Sequence, residues 1–240
     1  MTKIYPKIEP KFLLMYGPQI FDRRFGAIKP EGSLGLIYLA SALRNKDFEV
    51  SILDASVGND SYTLEETFFN EKIQPNGLVR VGMSIKDILS EVVDHDVIGI
   101  SSIFTAQTRM VEEVVTEIKR SYPDKIIILG GVNAKSQMSL FFNAGADLIC
   151  LSEAEETIVE IGELFRKGER DFSKINGVAG KEGFVNPRLK IIQNLDELPI
   201  PAWDNVTIGK ILENSTATWR WIKSWQYCLC FSNVFKRLSI

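Results

Sequence analysis

The chain has 240 residues, of which 45% are apolar and 25% charged, with a formal net charge of −3 and a sequence pI near 5.4. This is the balance of a soluble globular protein, without the basic excess of a nucleic-acid binder and without a run near the roughly 20 apolar residues that cross a bilayer. The opening MTKIYPKIEPK is too polar for a secretion signal, and Cys150, Cys228 and Cys230 make no disulfide framework, so a reducing, cytoplasmic location is expected.

Short apolar runs alternate with amphipathic stretches along the chain. Lys11–Tyr16 is a strand pattern ending in Gly17-Pro18, and Ser33–Arg44 carries apolar residues at helical spacing. Strands follow at Glu49–Leu53 and Val97–Ser101, then a helix over Thr108–Ser121 and a strand over Ile126–Leu129 that stops at Gly130-Gly131. Ser136–Ala144 reads as a short helix, Leu148–Leu151 as a fifth strand and Glu155–Lys167 as a helix. Continuous apolar strands between amphipathic helices predict a parallel sheet covered on both faces. Right-handed crossovers make it a flavodoxin-like (Rossmann-like) doubly wound α/β fold with five strands in the order 2-1-3-4-5, plus a small C-terminal extension.

The stretch from Ala55 to Asp94 is too long for a plain strand-to-helix connection. It predicts a helix near Ser84–Val93 preceded by an insertion, Ser56–Gly82, lying either over the strand ends or beside them. Val178–Gly180, Gly183 and Leu189–Ile192 suggest a hairpin, and NLDELPIPAWD over Asn194–Asp204 is an extended linker set by Pro199 and Pro201. The organisation expected is an α/β domain over residues 1–170, a hairpin and linker over 171–204, and a tail over 205–240.

Ligands of open parallel sheets bind outside the carboxyl ends of the strands. The residues that follow the strands are Gly17 and Pro18, then Asp54, then Ser101, Ser102, Ile103, Phe104 and Thr105, then Gly130, Gly131, Val132 and Asn133, then Ser152, Glu153 and Glu155. Such a rim suits a neutral or singly anionic ligand rich in hydrogen-bonding groups, and helix N-termini add partial positive charge for one phosphate. Two glycines after a strand let a ligand lie against bare backbone, or form a turn that needs positive φ. Ser101, Ser102 and Thr105 are ligand contacts or helix caps. His95, the single histidine, precedes the third strand and so falls on the opposite edge. One histidine builds no multi-histidine zinc site, and a Ser-His-Asp triad would have to use this one. Glu153, Glu155 and Glu156 are paired acids or partners of a helix dipole. Neither G-x-G-x-x-G after strand one nor a P-loop is present.

In order, the segments Gly17-Pro18, EGSLGLIYLASALR, EVSILDAS, DVIGISSIFT, IIILGGVNA, ADLICLSEAEET, INGVAG and NLDELPIPAWD resemble the N-terminal cobalamin-binding domain of B12-dependent radical S-adenosylmethionine enzymes. The resemblance covers Phe12 to Asp204. Gly32-Ser33-Leu34-Gly35-Leu36 stands where the family often has Pro-Pro-Leu-Gly-Leu, and Ser152-Glu153-Ala154-Glu155 where it often has Gly-Glu-Gly-Glu. The resemblance implies cobalamin as cofactor. It implies that Ser101, with Ser102 and Thr105 nearby, meets the nucleotide tail, and that Gly130 and Gly131 let that tail pass, so that a branched side chain at Gly131 would block it. The cofactor-binding set expected is Gly17, Pro18, Ser101, Ser102, Ile103, Thr105, Gly130, Gly131, Val132, Asn133, Ser152 and Glu153, with no catalytic and no metal-ligating residue. Related domains often carry Asp-x-His-x-x-Gly after strand one, whose histidine binds cobalt. Here that place reads Gly17-Pro18-Gln19-Ile20, so corrinoid is expected without a histidine ligand.

The family's Cys-x-x-x-Cys-x-x-Cys cluster motif has no match, since Cys228 and Cys230 flank one residue and Cys150 ends a strand. The expectation is a cobalamin-binding module detached from its catalytic half, inactive alone and holding no 4Fe–4S cluster, with corrinoid and a separate radical catalytic chain as candidate partners. The competing functions are an α/β enzyme of another class, such as a nucleotide-sugar transferase, and a protein-interaction domain.

Overall fold

A computed structural model of the chain describes residues 5–25, 34–187, 192 and 194–205. The tail after residue 205, with Cys228 and Cys230, and positions 189–191 of the expected hairpin lie outside the described residues. The strands are β1 (Phe12–Tyr16), β2 (Gln19–Phe21), β3 (Val50–Asp54), β4 (Lys72–Ile73), β5 (Val79–Val81), β6 (Val97–Ser101), β7 (Ile126–Gly130), β8 (Leu148–Cys150), β9 (Val178–Gly180) and β10 (Val185–Asn186). The helices are α1 (Leu34–Arg44), α2 (Ile85–Val92), α3 (Thr108–Ser121), α4 (Val132–Ser136), α5 (Met138–Ala144) and α6 (Glu155–Lys167).

The main sheet has the order β10-β9-β8-β7-β6-β1-β3. Five of its strands, β8, β7, β6, β1 and β3, are parallel and follow the expected 2-1-3-4-5 order, with Tyr16 in register with Asp54 on one side and Ser101 on the other, and Ser101 in register with Gly130. The sheet is larger than the five strands read from the sequence. The buried segment Val178–Gly180 adds antiparallel to β8, and β10 closes the hairpin onto it. The open edge of β8 would otherwise present unpaired backbone groups beside apolar side chains, and β9 satisfies both. The return strand is Val185–Asn186.

Alternation along the strands sorts the core into two layers. Leu13, Met15, Ile98, Ile100, Ile127 and Leu129 face α2, α3 and α5, where Val111, Val114, Val115 and Ile118 make a stripe at helical spacing. Phe12, Leu14, Tyr16, Val97, Ile128 and Leu148 face α1 and α6. The predicted helix over Ser136–Ala144 is two helices, α4 and α5, broken at Gln137 (φ −116°, ψ 30°). Helix α2 starts where expected because Ser84 accepts from the Asp87 N–H and donates to its carboxylate.

The insertion forms a second sheet, β2-β5-β4, with its own core of Val57, Leu64, Phe68, Val79 and Val81. It leaves the main sheet at the end of β3, returns where the Met83 N–H bonds the Ala55 carbonyl, and pairs β5 with β2 immediately after β1. All of its attachments are at carboxyl ends of strands. It therefore stands at the ligand edge, on the side of β1 and β3. Among the described residues no helix is long and apolar enough to cross a membrane.

Candidate functional site

The carboxyl ends of β3, β1, β6 and β7 bring Asp54, Tyr16, Ser101 and Gly130 into one row. By strand alternation these residues lie on the face that carries α1 and α6. Gly17 and Gly130 have open space in the direction of a side chain, with no atom within 4 Å of a Cβ built on either. Ser101 is almost fully buried and makes no side-chain hydrogen bond among the described residues. Above the row, Ile103 is 41%, Phe104 58% and Val132 72% exposed, which leaves an apolar platform on the loops after β6 and β7. Bare backbone in the strand row with exposed apolar residues beyond it suits a large ligand with both an apolar ring and a polar tail.

Other residues of the expected set build this rim rather than line it. Ser102 is fully buried and accepts from Asn133 Nδ2 at 2.7 Å, and Asn133 Oδ1 in turn accepts from the Thr108 hydroxyl at 3.1 Å. This network ties the β6 loop to the first turn of α4 and the start of α3. Gln107 does the same toward β1. Its Oε1 accepts from the N–H groups of Ile103 and Phe104, while its Nε2 donates to the Tyr16 hydroxyl at 2.5 Å. Gln107 was not singled out from the sequence, where a glutamine in a helix start carries no signal of its own.

Gly131 also has a structural task. Its φ of +105° and ψ of 163° are glycine territory, and a Cβ there would lie 2.3 Å from the Ser102 carbonyl oxygen. A branched side chain at Gly131 therefore disturbs the loop itself, and Gly130 is the position where added bulk enters open space. Thr105 is exposed and caps nothing with its side chain, although its carbonyl accepts from the Thr108 hydroxyl. Pro18 is buried beneath the rim, and Ser152 and Glu153 are exposed at the end of β8.

Asp54 stands out electrostatically. Its Oδ1 accepts from the Ser56 N–H at 3.0 Å and the Ser56 hydroxyl at 2.6 Å, whereas Oδ2 is sealed from solvent and has no partner among the described residues. The residue as a whole is half-buried, yet burial of the carboxyl group outweighs the Ser56 hydrogen bonds and pushes its pKa up to about 6. Cys150 is a buried thiol pushed up to about 12 by burial and is inert core. His95 lies at the amino-terminal side of β6, its Nδ1 2.9 Å from the Glu91 carbonyl, away from the rim. Glu155 and Glu156 open α6, where their charge favours the helix dipole. Among the described residues no cluster of histidine, cysteine and carboxylates is arranged to hold a metal ion.

The rim and fold define a class, and comparison with known proteins agrees. The chain belongs to the B12-binding domain family, whose model matches residues 30–162. Cobalamin is thus the cofactor that family membership assigns. The chain is similar to cytidylyl-2-hydroxyethylphosphonate methyltransferase of Streptomyces wedmorensis, 26% identical over 211 residues, covering 75% of this chain and 38% of that protein. It is also similar to an uncharacterized methyltransferase, PH0819, of Pyrococcus horikoshii, 27% identical over 208 residues, covering 83% of this chain and 39% of that one. The chain thus spans under two fifths of the length of these relatives. In fold it resembles the radical S-adenosylmethionine methyltransferase TsrM of Kitasatospora setae, solved with cobalamin and a 4Fe–4S cluster bound. The TM-score is 0.54 at 18% identity, with 81% of this chain and 31% of that one covered.

The residues present fit a corrinoid. Gly17 and Gly130 each leave open the space a side chain would fill, Asp54 Oδ2 is an acceptor without a donor among the described residues, and Ile103, Phe104 and Val132 expose apolar surface.

Proposed function

We propose that this chain is the cobalamin-binding module of a B12-dependent radical S-adenosylmethionine methyltransferase system. The observation that carries the reading is the open backbone at Gly17 and Gly130, on either side of Ser101 in the strand row, beside the exposed apolar residues of the following segments. In this reading Ser101 offers its hydroxyl to the nucleotide tail, the tail lies against Gly130, and Ile103 and Val132 seat the ring. Ser102, Asn133 and Gln107 hold the two loops that frame the cleft. Gly17, Pro18, Thr105, Gly131, Ser152 and Glu153 complete the border. Corrinoid, when bound, supplies a cobalt centre that accepts and donates a methyl group. This chain offers that cobalt no histidine, because His95 is the sequence's single histidine and sits before β6.

The module is inactive by itself. Methyl transfer from S-adenosylmethionine calls for a radical catalytic unit, which lies outside residues 5–205 or on a partner chain.

The test is retention of corrinoid. The full chain is mixed with hydroxocobalamin, unbound cofactor is removed by gel filtration, and the visible spectrum is recorded. About one corrinoid per chain is expected for wild type and for His95→Ala with an unchanged spectrum, and strong loss for Gly130→Leu. Wild-type protein that retains none overturns the proposal, and a cobalt band shift in His95→Ala overturns the histidine-free assignment.

A further inference from the structure

Asp54 has a geometry that the fold does not need. Its Oδ1 is taken by both the N–H and the hydroxyl of Ser56, which is enough to stabilise the turn at the end of β3. The two Ser56 bonds hold the carboxyl plane in place, and Oδ2 is left buried without a donor. A buried acceptor without a partner is costly, and native proteins rarely keep one for no purpose. Its position is informative as well. Asp54 is in register with Tyr16, the residue before the open Gly17, so the orphan oxygen is at the same strand row as the cleft.

We infer that Asp54 Oδ2 is a ligand acceptor, receiving a hydrogen bond from a primary carboxamide N–H on the periphery of the bound corrinoid. This rests on the cobalamin reading above. Corrinoids are rimmed by such carboxamides, so they bring donors to a site where the protein has left an acceptor open. The donor satisfies a group that is otherwise relieved only by taking up a proton.

A proton linkage follows. Without ligand, burial holds the Asp54 pKa at about 6. A donated hydrogen bond favours the carboxylate, so the pKa falls on binding toward its ordinary value of 3.8. Binding is therefore tight above pH 6 and weakens as pH falls below it, and ligand uptake releases protons. The other groups near β3 do not supply this dependence. Tyr16 on β1 and Tyr38 on α1 bring hydroxyls rather than carboxylates to this side of the sheet. Arg44 at the far end of α1 is paired with Asp204 at 2.8 Å. Ser56 and Val57, the other groups acting on Asp54, carry no charge.

The experiment is equilibrium dialysis of the full chain against methylcobalamin in the dark from about pH 5 to about pH 8, a range in which this probe does not ionise. For a pKa moving from about 6 to near 3.8, the wild-type dissociation constant rises about tenfold between about pH 7.5 and about pH 5. Asp54→Asn keeps an acceptor for Ser56. It is expected to bind roughly fivefold or more weakly at pH 7.5 and to lose the slope. A measurement on unmodified protein needs no variant: near pH 6, binding releases about half a proton per corrinoid into weak buffer. A flat wild-type profile, proton uptake, or an unchanged slope in Asp54→Asn overturns the role of Asp54 while leaving corrinoid binding intact. No binding at any pH overturns both.

Discussion

The glycine pair after β7 allows two structural tasks to be separated by experiment. Gly131 combines a φ of +105° with a ψ of 163°, a region that costs a residue bearing Cβ about 1–3 kcal/mol. The added carbon would also lie 2.3 Å from the Ser102 carbonyl oxygen and 2.8 Å from its carbon. Ser102 cannot retreat freely, because its N–H donates to the Gly130 carbonyl at 2.8 Å and its own carbonyl accepts from Ala134 at 3.2 Å. Gly131→Ala should therefore cost about 2–4 kcal/mol, which in a domain of this size lowers Tm by about 5–15 °C. Gly130→Ala meets open space and should stay within about 1 kcal/mol of wild type. Urea denaturation followed by circular dichroism measures both. Equal stability of Gly131→Ala and wild type, within about 0.5 kcal/mol, would refute the assignment of Gly131 to the loop rather than to the ligand.

Ser102→Ala strands the Asn133 amide as a buried donor and should cost about 1–3 kcal/mol by the same denaturation assay, whereas loss of corrinoid binding without loss of stability would make Ser102 a direct contact instead. Asp147 is buried at the amino-terminal edge of the sheet, where it accepts from the Ile127 N–H and meets Lys119 at 2.7 Å and Lys181 at 2.5 Å. Asp147→Ala should cost about 3 kcal/mol or more, while Lys181→Ala, whose side chain is half exposed, should cost under about 1 kcal/mol. Similar losses in the two variants would place the stabilisation in the exposed pair.

Much of this protein is legible without coordinates. The five parallel strands follow from apolar runs such as IIIL and VIGIS, because a strand buried on both faces has nowhere to place polar residues. The helices follow from 3.6-residue periodicity, and their positions fix the carboxyl ends of the strands as the ligand edge. The two added antiparallel strands were less legible because β9 and β10 are only three and two residues long, too short for a period to register. The insertion gave length but no place, since its strands carry no sign of which element they pair with.

The sequence by itself determined the doubly wound sheet, the edge at which a ligand meets it, and the shortlist of small and hydroxylic residues there. Contacts between distant segments set which of these have open space beside them and which face one another. Ser101 and Ser102 are neighbours of identical chemistry, yet strand alternation leaves one without a side-chain hydrogen bond among the described residues and buries the other against Asn133. Gly130 and Gly131 are likewise identical in sequence, but one faces open space and the other the Ser102 carbonyl. Asp54 became notable only when the packing showed one carboxyl oxygen bonded and the other sealed in without a donor. Burial and partnership are properties of contacts between distant segments, and no local pattern of residues encodes them.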